Sequence, residues 1–175
     1  MCALLARVFA GDGLRTLAVD CDPNPTLGEE LGIASISLSR FGRDALRRAG
    51  ETLELAAEPD LLEVEPRLWL LAGPPSATPL ADAVARGVAG ILVAHRFDRV
   101  VTDLGAGPEF ARMAVGGVLN PADVCVVLTD GSPVGDLTAE RVEAACAERA
   151  VPTLRTLNRR GAPEDVVRGL AEALL

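Results

Sequence analysis

The sequence contains no lysine: all 17 of its basic residues are arginines. That excludes any mechanism requiring a lysine within these 175 residues. Aromatic residues are almost as scarce, at 3% against a hydrophobic fraction of 49%. A core built mainly of Ala, Val and Leu suits the slim buried strands of a globular α/β protein, and the length fits one domain. No excess of positive charge is present. A net charge of −8 and a pI near 4.7 argue against nucleic acid as a dominant partner, because phosphate contacts need a basic face. Arg43, Arg47 and Arg48 read as a solvated helix face. No apolar run approaches the ~18 residues of a membrane span. The amino-terminal MCALLARVFAGDG has no basic lead and its apolar run breaks at Arg7, so it does not read as a signal peptide, and a cytoplasmic protein is expected. Cys2, Cys21, Cys125 and Cys146 show no CxxC or CxC spacing and read as small buried hydrophobes. The single histidine, His95, falls late in a helical stretch and reads as a surface residue.

What the chain does have is acid at the ends of apolar strands. Leu17, Ala18 and Val19 lead into Asp20 and Asp22, followed by a Pro-Asn-Pro turn and an amphipathic helix from Thr26. The stretch RVVTDLGAG repeats the design, with Asp103 at the strand end and Gly105 and Gly107 behind it. Open α/β sheets place their ligands in the crevice beyond the carboxyl ends of the strands, so two such acids suggest a phosphate or metal site.

Taken in order, residues 2–10 read as a buried helix with no N-cap residue before it, and residues 15–20 as a buried strand. A short helix covers 26–31. Residues 35–66 are the least regular part and read as a variable surface insertion, with a helix near 41–49. A strand at 68–72, a helix at 80–96, a strand at 100–104 and a helix at 109–118 come next. A strand at 124–129, a helix at 138–148, a strand at 153–157 and a helix at 163–175 complete the chain. Strands alternating with helices predict a three-layer α/β fold, a parallel sheet with helices on both faces.

Each site residue has a structural alternative. Asp20 and Asp22 would share a face if the strand continued, but Pro23 ends it; one of the two could simply cap the helix at Thr26 while the other is solvated. Asp103 alone is a weak signal, strengthened by glycines that let backbone N–H groups approach a phosphate. Asn158, at a later strand end, could read a base edge or merely shape a turn.

Three blocks make the chain resemble the deviant-Walker P-loop ATPases of the MinD/ParA/nitrogenase iron protein type, most of all the accessory ATPases that mature carbon monoxide dehydrogenase. They are GLRTLAVDCDPNPTLGEELGI (13–33), VVTDLGAGPEFAR (100–112), and VCVVLTDGSPVGDLTAERV (124–142) leading into LNRRG (157–161). The resemblance implies an ATP-binding and ATP-hydrolysing switch. Asp22 would position the attacking water and Asp20 would organise the first switch. Asp103, with Thr26, would hold Mg²⁺. Gly105 and Gly107 would approach the phosphates, Gly107 sensing the γ-phosphate, while Asn158 beside Arg159 would contact adenine. It also implies a homodimer that passes the energy of ATP to a protein partner, either a metalloenzyme client or a partitioning system.

The departure from that pattern is the opening strand and its glycine-rich KGGxGKT loop, neither of which is in the sequence; the helix that should follow them begins at Met1 or Cys2. The expectation is a single nucleotide-binding domain over 1–175, truncated at its amino end, with a gap in the sheet where the opening strand belongs. Two other functions stay open. One is a non-catalytic remnant that binds a partner or dimerises. The other is an aspartyl-nucleophile phosphatase of the haloacid-dehalogenase kind, which DCDPNPT also resembles, with Asp20 as nucleophile and Asp22 as acid/base. Such phosphatases need a cation, usually a lysine, and leave the GAGPE and NRR blocks unexplained.

Overall fold

The centre of the molecule is β1 (Thr16–Asp20), whose five residues are all buried. The computed structural model describes residues 1–20, 22, 26–33, 61–71, 97–105, 122–157 and 164–174. In chain order these form α1 (Cys2–Gly11), β1, α2 (Leu27–Glu30), β2 (Leu62–Glu65), β3 (Leu68–Leu71), β4 (Arg99–Asp103), β5 (Cys125–Thr129), α3 (Pro133–Ala147), β6 (Thr153–Leu157) and α4 (Glu164–Ala173).

Strand β1 is interior because its side chains are apolar on both faces, the pattern parallel sheets require. It pairs in parallel with β3 on one edge and β4 on the other, in a sheet ordered β2-β3-β1-β4. β5 and β6 form a separate two-stranded parallel ladder. The α/β class read from the sequence is therefore the class observed.

α1 packs across β1, β3 and β4 and lies against α4. Its Ala3, Leu5, Ala6, Val8, Phe9 and Ala10 are buried, and they meet Ala18, Leu70, Val101, Val167 and Ala171 in the main core. Small residues on α1 let it approach the sheet closely. Its amino end has no side-chain cap, as the sequence suggests.

Two elements differ from the sequence reading. Residues 62–65 fall in the segment read as an irregular insertion, yet they form an edge strand antiparallel to β3. Only four residues long, LEVE is too short for its alternation to stand out from an acidic stretch. The connecting Pro66-Arg67 turn places Arg67 at φ 69, and a salt bridge of 2.8 Å from Arg7 to Glu65 ties the edge strand to α1. The other difference is α3, which starts at Pro133 rather than near residue 138. Ser132 supplies the start: its hydroxyl accepts from the Gly135 N–H, and proline at the first helical position needs no hydrogen-bond partner for its nitrogen.

The helices expected at 41–49, 80–96 and 109–118 lie outside the described residues. Cys146 is buried as expected, Cys2 and Cys125 are half-buried, and Cys21 is outside the description.

Candidate functional site

The parallel register of β1 and β4 decides where the acids meet. Asp20 and Asp103 are directly paired residues on adjacent strands, so both carboxylates leave the sheet at the same level. Asp22 lies in the loop beyond Asp20 and is half-buried. Its carboxyl group sits over Gly105, close enough that a Cβ there would lie 2.8 Å from the Asp22 Cγ. Gly105 has φ +65, which an L side chain adopts only with strain, so glycine is required here twice over. Its N–H donates to the Asp103 carboxylate at 3.2 Å. The two strand-end loops thus close on each other, bringing Asp20, Asp22 and Asp103 to one place.

Asp20 is 3% exposed. One of its oxygens accepts from the Asp22 N–H and the other from the Leu27 N–H, both at 3.2 Å. Leu27 opens α2, so the helix-capping alternative holds for Asp20: the residue starts α2 and belongs to the acid cluster at once. Burial pushes its pKa up to about 7; the backbone bonds to Asp22 and Leu27 oppose that shift, and the nearby charges of Asp103 and Asp22 add to it. Thr26 is exposed directly before Leu27, and its hydroxyl makes no capping bond.

The amino end of α1 lies beside this cluster. The Cys2 thiol lies near the Asp103 carboxylate, and burial together with that charge pushes the thiol up to about 12. The amino group of Met1 is 3.9 Å from Glu30 of α2. Sequence reasoning missed Cys2, because nothing in its spacing links it to a strand end about a hundred residues away. The site therefore combines three carboxyl groups with a helix amino terminus, which carries a partial positive charge.

Gly107, Asn158 and Arg159 lie outside the described residues. The turn at the end of β5 is closed by its own hydrogen bonds. The Asp130 carboxylate accepts from the N–H and hydroxyl of Ser132, and the Thr129 hydroxyl donates to Asp136, which also pairs with Arg155.

The donor types suit Mg²⁺, which takes hard oxygens and in phosphate sites uses only one or two carboxylates beside water and phosphate. Among the described residues, no group of three or more His, Cys, Asp or Glu is placed to hold a metal ion together. A triphosphate also needs positive charge around it; the start of α1 lies beside the cluster, and the sequence has no lysine to add. The geometry also weighs against an Asp20 nucleophile, since both oxygens are held by backbone N–H groups and the residue is almost fully buried.

No protein-family model matches the chain, and neither does any curated protein. Solved structures do. The MinD cell division protein of Aquifex aeolicus superposes with a TM-score of 0.59 at 20% identity, over 97% of this chain and 66% of that one. A ParA family ATPase from Chlorobium tepidum TLS gives 0.63 at 19% identity, over 99% and 73%. Cobyrinic acid a,c-diamide synthase from Mycobacterium smegmatis, in a structure with bound ADP and magnesium, gives 0.59 at 18% identity, over 97% and 74%. The chain thus spans slightly under two thirds of the MinD chain and about three quarters of the other two. The strand-end acids, the parallel sheet and these superpositions agree that the chain has the fold of the MinD/ParA-type P-loop ATPases.

Proposed function

We propose that this chain is the core of an ATP-dependent molecular switch that uses Mg²⁺, works as a homodimer in the cytoplasm and acts on a protein partner, in partitioning or in metalloenzyme maturation. The observation that carries the reading is the convergence of Asp20, Asp22 and Asp103 beside the start of α1, at the carboxyl ends of parallel strands. In this reading Asp103 and Thr26 face the metal ion, Asp22 aligns the water, Asp20 fixes the first switch to α2, and Gly105, Gly107, Asn158 and Arg159 approach the nucleotide. Phosphoryl transfer depends on positioning and charge stabilisation rather than on covalent help from the protein, so carboxylates held by backbone turns suit it. When bound, the metal ion would neutralise phosphate charge that these residues leave unopposed.

The absence of lysine favours a second reading, a relative that binds a partner or dimerises without hydrolysing nucleotide. Calorimetric titration of the 175-residue chain with ATP separates the two, run with and without Mg²⁺ and repeated on Asp103→Asn. Magnesium-dependent binding that Asp103→Asn weakens at least tenfold is expected for the switch. A folded protein that binds no ATP at millimolar concentration would refute that reading for the chain and leave the partner-binding one.

A further inference from the structure

Helix α2 is a single turn, too short to be stable by itself, so its place depends on what holds its ends. At the amino end the Leu27 N–H donates to Asp20, which joins the helix to the acid cluster. Leu27 and Leu31 anchor its inner side in the main core. At the carboxyl end the N–H groups of Leu31, Gly32 and Ile33 donate to the carbonyls of Leu27, Glu29 and Gly28, and the chain turns at Gly32 with φ +84. The Glu30 carbonyl has no backbone donor among the described residues. It accepts instead from the Arg7 guanidinium, at 3.2 Å. Arg7 lies midway along α1 and makes a second bond there: its Nε donates to the Glu65 carboxylate at 2.8 Å. Glu65 ends β2, the outermost strand of the four-stranded sheet. One side chain thus grips the ends of two elements that are distant in sequence. A guanidinium suits that task, because its N–H groups form a rigid fork able to address two acceptors, and its charge is favourable at a helix carboxyl end.

We propose that Arg7 is a positioning residue for the acid cluster: it holds the carboxyl end of α2, and so couples edge strand β2 to the Leu27 N–H that fixes Asp20. Arg7 touches none of the three acids and acts on them only through α2. Its own base is firm, since Ala6 and Val8 on either side of it are buried against the sheet. What can move is the pair of groups it grips. A change at β2 that draws Glu65 away frees the guanidinium, loosens the end of α2 and weakens the hydrogen bond that keeps Asp20 in register with Asp103. The outer strand is therefore a place from which a docked partner reaches the site. That consequence for activity rests on the switch reading, whereas the coupling itself does not.

Amide hydrogen exchange of the 175-residue chain, followed by NMR without nucleotide or metal, tests the coupling. In Arg7→Ala the Leu27, Glu30 and Leu31 amides should exchange roughly three- to fivefold faster relative to those of α3, the size expected for a half-exposed charged contact. Glu65→Ala, which leaves α1 untouched, should speed the same amides to a smaller extent, and adding it to Arg7→Ala should change them no further. The swapped pair, Arg7→Glu with Glu65→Arg, separates positioning from a plain ion pair. It restores the bridge between α1 and β2, but a glutamate at position 7 has no donor for the Glu30 carbonyl, so the α2 amides should stay fast. Unchanged α2 exchange in Arg7→Ala, an equal change across the whole chain, or recovery of α2 in the swapped pair overturns the proposal. Each of these outcomes is read without ATP, so the coupling can fail while the switch reading stands, or hold when no ATP binds.

Discussion

Replacing Asp20 by asparagine should change how stability depends on pH, and its size follows from the burial of the side chain. With a folded pKa of about 7 against an ordinary value of 3.8, the native protein holds a proton that the unfolded chain has released. Between those values the folded state binds more protons, so stability falls as pH rises. The contribution is complete below about pH 4, is lost progressively up to about pH 7, and does not change further above it. At about 1.4 kcal/mol per pKa unit, the full span is worth roughly 4 kcal/mol and the part between pH 5 and pH 8 roughly 3 kcal/mol.

The variant Asp20→Asn does not titrate, but it keeps only one acceptor oxygen. Its amide nitrogen must face either the Asp22 or the Leu27 N–H, at a cost of about 1–3 kcal/mol. Metal-free urea unfolding at several pH values should therefore find the variant weaker than the parent at pH 5. By pH 8 the gap should close or reverse, moving by roughly 3 kcal/mol in the variant's favour. Parallel stability curves for the two proteins across that range would show that the buried carboxyl is not carrying a proton, and the electrostatic account of the cluster would fail.

Other substitutions read the same geometry from different sides. Gly105→Ala puts a Cβ 2.8 Å from the Asp22 Cγ on a backbone at φ +65; it should cost about 1–3 kcal/mol in urea unfolding, and a loss near zero would mean the two strand-end loops are not in contact. Ser132→Ala removes the side-chain cap of α3 and should lower stability by about 0.5–2 kcal/mol, seen as a lower thermal midpoint, whereas Ser132→Gly should cost only a few tenths.

What the sequence made legible was whatever depends on short-range pattern. The apolar run ending in Asp20, and a second ending in Asp103, were enough to place both acids at strand ends, and parallel pairing then aligns them without further information. What stayed hidden depends on long-range contact or on caps. The β2 strand owes its place to pairing with β3 across the Pro66-Arg67 turn, and four alternating residues do not announce that. The start of α3 was readable in principle: serine followed by proline is an N-terminal signal, but the glycine at 135 and the exposed Val134 obscured the helical pattern beyond it. The nearness of Cys2 to Asp103 is a product of α1 lying along β4, which no local pattern encodes.

Asp20 shows why structural and functional readings of one residue need not compete. The sequence alone sets helix capping against a role in the site. In the folded chain both arise from one arrangement, because the oxygen that accepts from Leu27 N–H at the start of α2 belongs to the carboxyl group that stands in register with Asp103. Its position in the cluster is fixed by the two hydrogen bonds that make it structural. An Asp20→Ala variant would lose both of those acceptors along with any chemistry, so a loss of activity there says little until stability is measured beside it. Asp103 differs in this respect. Among the described residues, the backbone group it accepts from is the Gly105 N–H of its own turn. Substitution at Asp103 is therefore the cleaner way to ask what the cluster binds.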